Sequence, residues 1–267
     1  MTSLLRVDRD GDVATVSLLS PTMPPALFAE LGAVFAGFAD DDALRAVILR
    51  GDGKAFSYGL DLPQAFATWG ATFSGAGLAA GRTALWKLVG ELQATITAVA
   101  QCPAPVIAAV HGGCIGGGVD LITACDLRIC TADARFSVRE TKVAMVADLG
   151  SLQRLPLVIG DAATRELALT GKDIDAARAL QLGLVSQVVP DREAVDAAAR
   201  ALAAEIAGNP PLVVRGVKQI LDQSTRRAVA EGLERVATWN AAFLPSEDLG
   251  EAASAFAARR PPTWKGR

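Results

Sequence analysis

Histidine is nearly absent from this chain of 267 residues, with a single copy at position 111. Multi-histidine metal sites are therefore excluded, and any Ser-His-Asp or Cys-His system would have to use His111 alone. Because His111 follows the apolar run 105–110 at a predicted strand end, a hydrogen-bonded structural histidine is favoured over a catalytic one. The few cysteines match no zinc-binding spacing and are predicted to be buried thiols: Cys102, Cys114, Cys125 and Cys130.

Long hydrophobic runs and basic tracts are missing as well. No run approaches the ~20 apolar residues that span a bilayer. A net charge of −3 and a pI near 5.3, without a basic cluster, argue against nucleic acid as a partner. Residues 1–10 lack the apolar core of a signal peptide, and residues 264–267 are not a peroxisomal address. The prediction is a cytoplasmic protein that binds neither membrane nor nucleic acid.

Apolar residues are abundant, at 51% of the chain with a mean hydropathy of +0.31. This excess predicts either a large core or apolar surface that meets other subunits. Strand-like and helix-like segments alternate up to about residue 190, which predicts an α/β class. Residues 191–267 are Ala-rich and helical in pattern. We therefore expect a core, 1–190, and a helical region, 191–267, that packs on the core and on neighbouring subunits.

The stretch 63–81 is rich in Ala, Gly, Ser and Thr and includes Phe66, Trp69 and Phe73. It predicts an irregular, mobile wall of a pocket.

A glycine-rich turn is the strongest local signal. Five glycines fall within residues 112–118, directly after the buried run 106–110. A dinucleotide fingerprint is excluded because Leu121 stands where its third glycine belongs, and the Walker pattern is absent. What remains is a turn with bare N–H groups that suits an anion or a developing oxyanion. A turn needed only for tight helix–strand packing is the alternative.

Three acids lie in apolar surroundings: Asp120, Glu140 and Asp148. Acids are rarely buried unless they are paired or functional. If these three converge, burial and mutual repulsion raise some of their pKa values and leave a protonated acid beside an ionised one. Such a set can take a proton from one carbon and return one to another. Surface acids and a helix cap are the alternative interpretation.

Four segments resemble the crotonase (enoyl-CoA hydratase/isomerase) superfamily: 53–62, 105–126, 171–189 and 256–264. The resemblance covers nearly the whole chain. It implies an α/β fold, a crotonase-type spiral of repeated ββα units with a helical C-terminal trimerisation region. It also implies assembly into homotrimers or homohexamers.

The resemblance further implies an acyl-CoA thioester substrate whose carbonyl is held by the backbone N–H groups of Leu60 and Gly117. Other expected substrate contacts are Ser57, Tyr58, Asp61, Phe66, Gly116 and Met145. The CoA phosphates have only weak candidates, for which solvated surface charge is the alternative: Lys54, Arg259, Arg260 and Lys265. No metal or other cofactor is expected, because coenzyme A is part of the substrate.

The acids distinguish branches of the superfamily. Hydratases carry glutamates at the positions of Asp120 and Glu140, and a small residue where Asp148 stands. Segments 143–156 and 238–240 resemble instead the Δ3,5-Δ2,4-dienoyl-CoA isomerases. That branch implies that Glu140 serves C2 and Asp148 serves C6 of the acyl chain, with the reverse assignment open, while Asp120 orients the pair. The alternatives are an enoyl-CoA hydratase, a Δ3-Δ2-enoyl-CoA isomerase and a non-catalytic acyl-CoA binder.

Overall fold

The computed structural model describes residues 3–75 and 77–267. The strands are β1 (Leu5–Asp10), β2 (Val13–Leu18), β3 (Ala46–Gly51), β4 (Val106–Val110), β5 (Gly113–Ile115), β6 (Leu127–Thr131), β7 (Arg135–Ser137), β8 (Ile174–Asp175) and β9 (Gln187–Val189). The α-helices are α1 (Pro25–Ala39), α2 (Leu62–Phe73), α3 (Ala79–Ala100), α4 (Gly117–Thr123), α5 (Ser151–Ile159), α6 (Asp161–Thr170), α7 (Ala176–Leu182), α8 (Arg192–Ala207), α9 (Pro211–Phe243) and α10 (Glu247–Ala257). A short 3-10 helix spans Glu140–Val143.

Two sheets form the core. The larger has the strand order β1-β2-β3-β4-β6-β9, antiparallel between β1 and β2 and parallel elsewhere. The smaller has the order β5-β7-β8. Successive strands divide between the sheets: β4 and β6 enter the larger, and β5 and β7, which follow them, enter the smaller. Each pair then leads into a helical segment, so the repeats have the predicted ββα form.

Strand β4 shows why a strand inside the larger sheet has an uninterrupted apolar sequence. All five of its residues are buried. Val106, Ala108 and Val110 face the main core, whereas Ile107 and Ala109 pack in a second cluster with α8. A parallel strand covered on both faces needs no polar alternation, because neither face meets water.

The stretch 63–81 differs from its prediction, because most of it is helical. Helix α2 occupies residues up to Phe73, and α3 begins at Ala79. The Asp61 carboxylate accepts a hydrogen bond from the Gln64 N–H at 3.0 Å and caps α2, and Pro63 lies in its first turn. The predicted irregular wall is therefore mainly a capped helix, and residue 76 lies outside the described residues.

The C-terminal region consists of α8, α9 and α10. Helix α8 packs on strands of the larger sheet, so its apolar face completes the second core cluster. Helix α9 is 33 residues long and packs against α3 and α5. The domain boundary at 190/191 stays a prediction. Within residues 3–75 and 77–267, no helix combines the length and apolar character that a membrane crossing requires.

Candidate active site

The loop after β3 is attached to the glycine-rich turn. Ser57 N–H donates to the Gly113 carbonyl at 3.0 Å, and Ile115 N–H donates to the Ser57 carbonyl at 2.9 Å. Gly59, in this loop, has φ +78°, and a Cβ there would lie 2.7 Å from the Ile115 oxygen. Only glycine satisfies both the left-handed backbone and the close approach.

The orientation of the Leu60 N–H follows from its peptide plane. The Gly59 carbonyl accepts a hydrogen bond from Met23 N–H at 2.8 Å. Because a trans peptide is planar, the Leu60 N–H of the same unit points in the opposite direction, away from Met23. This N–H donates no hydrogen bond to another residue in the described part of the chain.

The Gly117 N–H is oriented in the same way. The Gly116 carbonyl accepts two N–H groups from the first turn of α4, at 2.7 and 3.1 Å. The Gly117 N–H therefore points away from the helix, and within the described residues it too lacks an acceptor. A Cβ on Gly117 would lie 3.7 Å from the Leu60 nitrogen, so the two N–H groups are neighbours. Two adjacent unbonded donors are suited to hold one oxyanion.

Glu140 lies beside this pair. A Cβ on Gly116 would be 3.1 Å from Glu140 Oε1, so the absence of a side chain at Gly116 leaves room for the carboxyl. Glu140 Oε2 is buried and has no hydrogen-bond partner among the described residues. Burial, together with the charges of Asp120 and Asp148, raises the pKa of Glu140 to about 8. A carboxyl with one unpartnered oxygen next to an oxyanion pocket is available for proton transfer.

Asp148 is a second acid that is partly accessible. Burial raises the pKa of Asp148 to about 7. The charge of Asp120 contributes to this rise, whereas the hydrogen bond from Asn240 opposes it. The Asn240 Nδ2 donates to Asp148 Oδ2 at 2.7 Å.

Asp120 is only 1% exposed. Its Oδ1 accepts the Ser151 N–H at 2.6 Å. Burial raises its pKa to about 6, and the Ser151 hydrogen bond and the positive charge of Arg154 oppose that rise. This acid is almost inaccessible to solvent, and its charge raises the pKa values of the other two acids.

Together, the acids can hold one mobile proton near neutral pH. Burial raises the pKa of both Glu140 and Asp148 towards neutral pH, so either acid can carry a proton there. The structure thus brings all three predicted acids together with both predicted backbone donors. Their individual roles stay predictions.

The remaining predicted contact residues fall into two groups. Phe66 and Met145 border an apolar cluster that also contains the Leu60 side chain, consistent with a wall for an acyl chain. Ser57 is fully buried, and its Oγ accepts the Gly59 N–H at 3.1 Å. Asp61 caps α2, as described above.

Tyr58 and the candidate phosphate-binding cations mostly interact with other residues of the protein. Tyr58 is 44% exposed and packs against Gly113, with the Lys54 ammonium 5.9 Å from its ring centroid. Of the cations considered for phosphates, Arg260 pairs with Glu251, and Lys265 pairs with Glu247 at 2.9 Å. Surface ion pairing thus occupies two of the four candidates.

The single histidine and the four cysteines, for which structural roles are predicted, lie where those roles require. His111 Nε2 lies 2.9 Å from the Gly53 carbonyl, and the ring is 7% exposed. The four cysteines are free thiols in the core. None of these five side chains contributes a group to the acid cluster.

Three polar residues near the acids had no predicted role: Gln93, Arg154 and Asn240. Each is buried and makes hydrogen bonds to the acids or to the segments that carry them. Asn240 lies 92 residues from Asp148 in sequence. Arg154 and Asn240 lie in the segments 143–156 and 238–240, whose resemblance to the dienoyl-CoA isomerases was noted without a role for either residue. For Gln93 the signal is a polar residue within an apolar helical stretch.

The fold agrees with comparisons to known proteins. The Enoyl-CoA hydratase/isomerase family model matches residues 8–267. A mitochondrial Δ(3,5)-Δ(2,4)-dienoyl-CoA isomerase from Dictyostelium discoideum is 42% identical over 98% of this chain and 91% of its own length. The peroxisomal enzyme of that name from Arabidopsis thaliana is also 42% identical, over 98% and 95%.

Solved structures agree at the level of the fold. An enoyl-CoA hydratase/isomerase from Pseudoalteromonas atlantica T6c superimposes with a TM-score of 0.85 at 26% identity, covering 98% of this chain and all of that one. Sequence family, spiral topology and paired backbone donors therefore lead to one assignment. The chain belongs to the enoyl-CoA hydratase/isomerase family.

Proposed function

We propose that this protein is an isomerase that converts 3,5-dienoyl-CoA to 2,4-dienoyl-CoA. The observation that carries the proposal is the second accessible acid, Asp148, next to Glu140 and the backbone donors. Moving both double bonds requires a proton to leave C2 and another to arrive at C6. These carbons are four bonds apart, and two carboxyls along the acyl chain serve them better than one. Relatives at 42% identity carry this activity in their names.

In the proposed reaction, ionised Glu140 removes a proton from C2, and the C–H electron pair passes into the thioester to form a dienolate. The N–H groups of Leu60 and Gly117 stabilise its oxygen, where negative charge develops. When the oxyanion collapses, the electrons shift along the chain and C6 takes a proton from Asp148. The double bonds then lie at 2,3 and 4,5. The buried charge of Asp120 keeps the pair from ionising together.

The reaction is redox-neutral, so the proposal includes no cofactor beyond the coenzyme A portion of the substrate. Ser57, Asp61 and Gly116 support the loops that carry the N–H donors. Phe66 and Met145 supply an apolar wall, which keeps water from the dienolate.

Direct assay of the purified protein tests the proposal. With 3,5-dienoyl-CoA we expect a change in absorbance at constant mass as the diene becomes conjugated with the thioester. Asp148→Asn is expected to lose this conversion, whereas the exposed Asp40→Asn serves as a matched control and keeps it. Faster hydration of a 2-enoyl-CoA, seen as added water mass, or near-wild-type conversion by Asp148→Asn, would refute the assignment.

Assembly into a homotrimer or homohexamer is part of the same proposal. The first half of α9 exposes large apolar side chains at helical spacing: Leu212, Val213, Val217, Ile220 and Leu221. Such a face is unusual on a monomer's surface and suits contact with another subunit. Light scattering of the purified protein gives the subunit number, and a monomer at micromolar concentration would contradict the proposal.

A cytoplasmic location is likewise part of the proposal. The two relatives described above are named mitochondrial and peroxisomal. Fractionation of the source cells with antibody detection decides the compartment, and recovery in an organelle fraction would contradict the proposal.

A further inference from the structure

Asn240 is a buried amide in an apolar part of α9. It is 2% exposed, and its helical neighbours Val236, Ala237 and Ala241 are buried as well. A buried amide without partners is costly, so its hydrogen bonds determine what it does there.

Both hydrogens of the Asn240 amide are used. Nδ2 donates to the Val146 carbonyl at 2.9 Å and to Asp148 Oδ2 at 2.7 Å. The Val146 carbonyl can only accept, so a flipped amide would place two oxygens against each other. The backbone carbonyl therefore fixes the orientation of the amide, and the second N–H is aimed at the carboxylate.

A second amide holds the same segment without contacting the carboxyl. Gln93 Nε2, on α3, donates to the Asp148 backbone carbonyl at 2.7 Å and to the Leu233 carbonyl at 2.9 Å. Gln93 is 7% exposed. The two amides therefore have different roles. Gln93 fixes the backbone of Asp148, and Asn240 fixes its side chain.

We propose that Asn240 is a positioning residue that keeps Asp148 Oδ2 as a hydrogen-bond acceptor, so that Oδ1 is the oxygen that gives a proton to the substrate. The inference rests on the proposed function. Asn240 itself transfers no proton: its N–H stays bonded while the Oδ1–H bond of Asp148 breaks and the C6–H bond forms. The side chain cannot turn Oδ1 away without losing the hydrogen bond to Nδ2.

The same contact affects when Asp148 carries its proton. The hydrogen bond to Asn240 opposes the effect of burial on the pKa of Asp148, while the charge of Asp120 raises it. Glu140 is the third acid in the cluster, and Arg154 is the cation that acts on Asp120. Removing the N–H donor therefore moves the pKa of Asp148 upward.

Asn240→Leu tests the proposal, because leucine keeps the branched shape and lacks the donor. We expect a loss of 3,5-dienoyl-CoA conversion of about 10- to 100-fold, since small misplacements of a reacting group have effects of this order. KM should change little, deuterium exchange at C2 should persist, and the pH dependence of conversion should move upward. Asn240→Asp retains the shape if the leucine variant folds poorly, and the added carboxyl is expected to move the same pH dependence further upward.

Gln93→Met is the matched control. It removes the amide that holds the backbone of Asp148, so we expect lower thermal stability with an unshifted pH dependence. Equal losses in the Asn240 and Gln93 variants, with the pH dependence unchanged in both, would show that Asn240 only supports the fold.

Wild-type turnover is measured first, so the two proposals can fail separately. Absent conversion of 3,5-dienoyl-CoA would refute the function, whereas the positioning role also has a readout without substrate. Infrared titration of the wild type, with Asp148→Asn subtracted, follows the Asp148 carboxyl directly. Its titration should move upward in Asn240→Leu, and an unmoved titration would overturn the inference.

Discussion

The two ends of the candidate site are built from different groups. The thioester end, defined as the Leu60 and Gly117 N–H groups with Glu140, depends on backbone donors whose planes are set by hydrogen-bonded carbonyls. The distal end, defined as Asp148 with Asn240, depends on side chains. The first belongs to loops near the sheets and the second joins the core to α9. We therefore expect that substitutions can perturb enolate stabilisation and distal proton transfer separately.

The largest expected effect separates the two acids. Glu140→Gln should abolish both conversion and deuterium exchange at C2, because it removes the base. Asp148→Asn should abolish conversion but retain C2 exchange. Each conversion rate is expected to fall about 10²- to 10⁴-fold, the usual contribution of a general acid or base. Mass spectrometry in D2O follows exchange, and C2 exchange that survives in Glu140→Gln would reverse the assignment.

The next effect concerns the thioester end alone. Gly59→Ala places a Cβ 2.7 Å from the Ile115 oxygen and 3.0 Å from the Gly117 nitrogen, at φ +78°. The loop must shift and the two N–H groups separate, so we expect kcat to fall about 10²- to 10³-fold, as for loss of one oxyanion donor. Steady-state kinetics measures the change. Gly37→Ala, in α1 with open space around its Cβ position, should keep full activity.

A smaller effect is expected at Arg154, the cation that acts on Asp120. A Cβ on Gly150 would overlap the guanidinium of Arg154, which is buried and donates to the Leu149 carbonyl. Gly150→Ala should therefore destabilise the fold by about 1–3 kcal/mol, as overpacking does. Thermal melting measures the loss, and Gly250→Ala in α10, which meets nothing within 4 Å, is the control. Gly150 also has φ +128°, a left-handed backbone that disfavours a side chain, so an unchanged melting temperature would mean that both Arg154 and the backbone adjust freely.

The smallest effect is a dependence of stability on pH at the distal end. The folded protein holds the Asp148 proton up to a pKa of about 7, whereas an aspartate in the unfolded chain has a pKa of 3.8. Between these pH values the folded state binds more protons than the unfolded state, so stability falls as pH rises. Asp148→Asn does not titrate, so its stability relative to wild type should increase across this window. Melting curves at pH 4 and pH 8 test this, and an equal difference at both would contradict it.

Much of the site was predictable because its signals are local. The three acids stand out against apolar neighbours, and the glycines at 59 and 112–118 mark places where backbone must approach backbone. Strand β4 was evident for the same reason. Each of these features can be recognised from a few residues that are adjacent in the sequence.

The rest depends on contacts that no local pattern encodes. Strand β5 has three residues inside the glycine-rich turn and becomes a strand by pairing with β7 and, at Cys114, with Ser57. Helix α2 has a small-residue composition, and its cap at Asp61 outweighs that composition. The role of Asn240 requires knowing that α9 returns to Val146 and Asp148, which is tertiary information.

The hydrogen bond from Met23 to the Gly59 carbonyl has a consequence for mutational tolerance. Since it sets the direction of the Leu60 N–H, the side chain at position 60 is free to change without removing the donor, proline excepted. Substitutions of the Leu60 side chain are therefore expected to leave the donor in place, whereas substitutions of the Asp148 or Asn240 side chain are expected to lower conversion. Variation at position 60 should change the apolar wall while the ability to form an enolate remains.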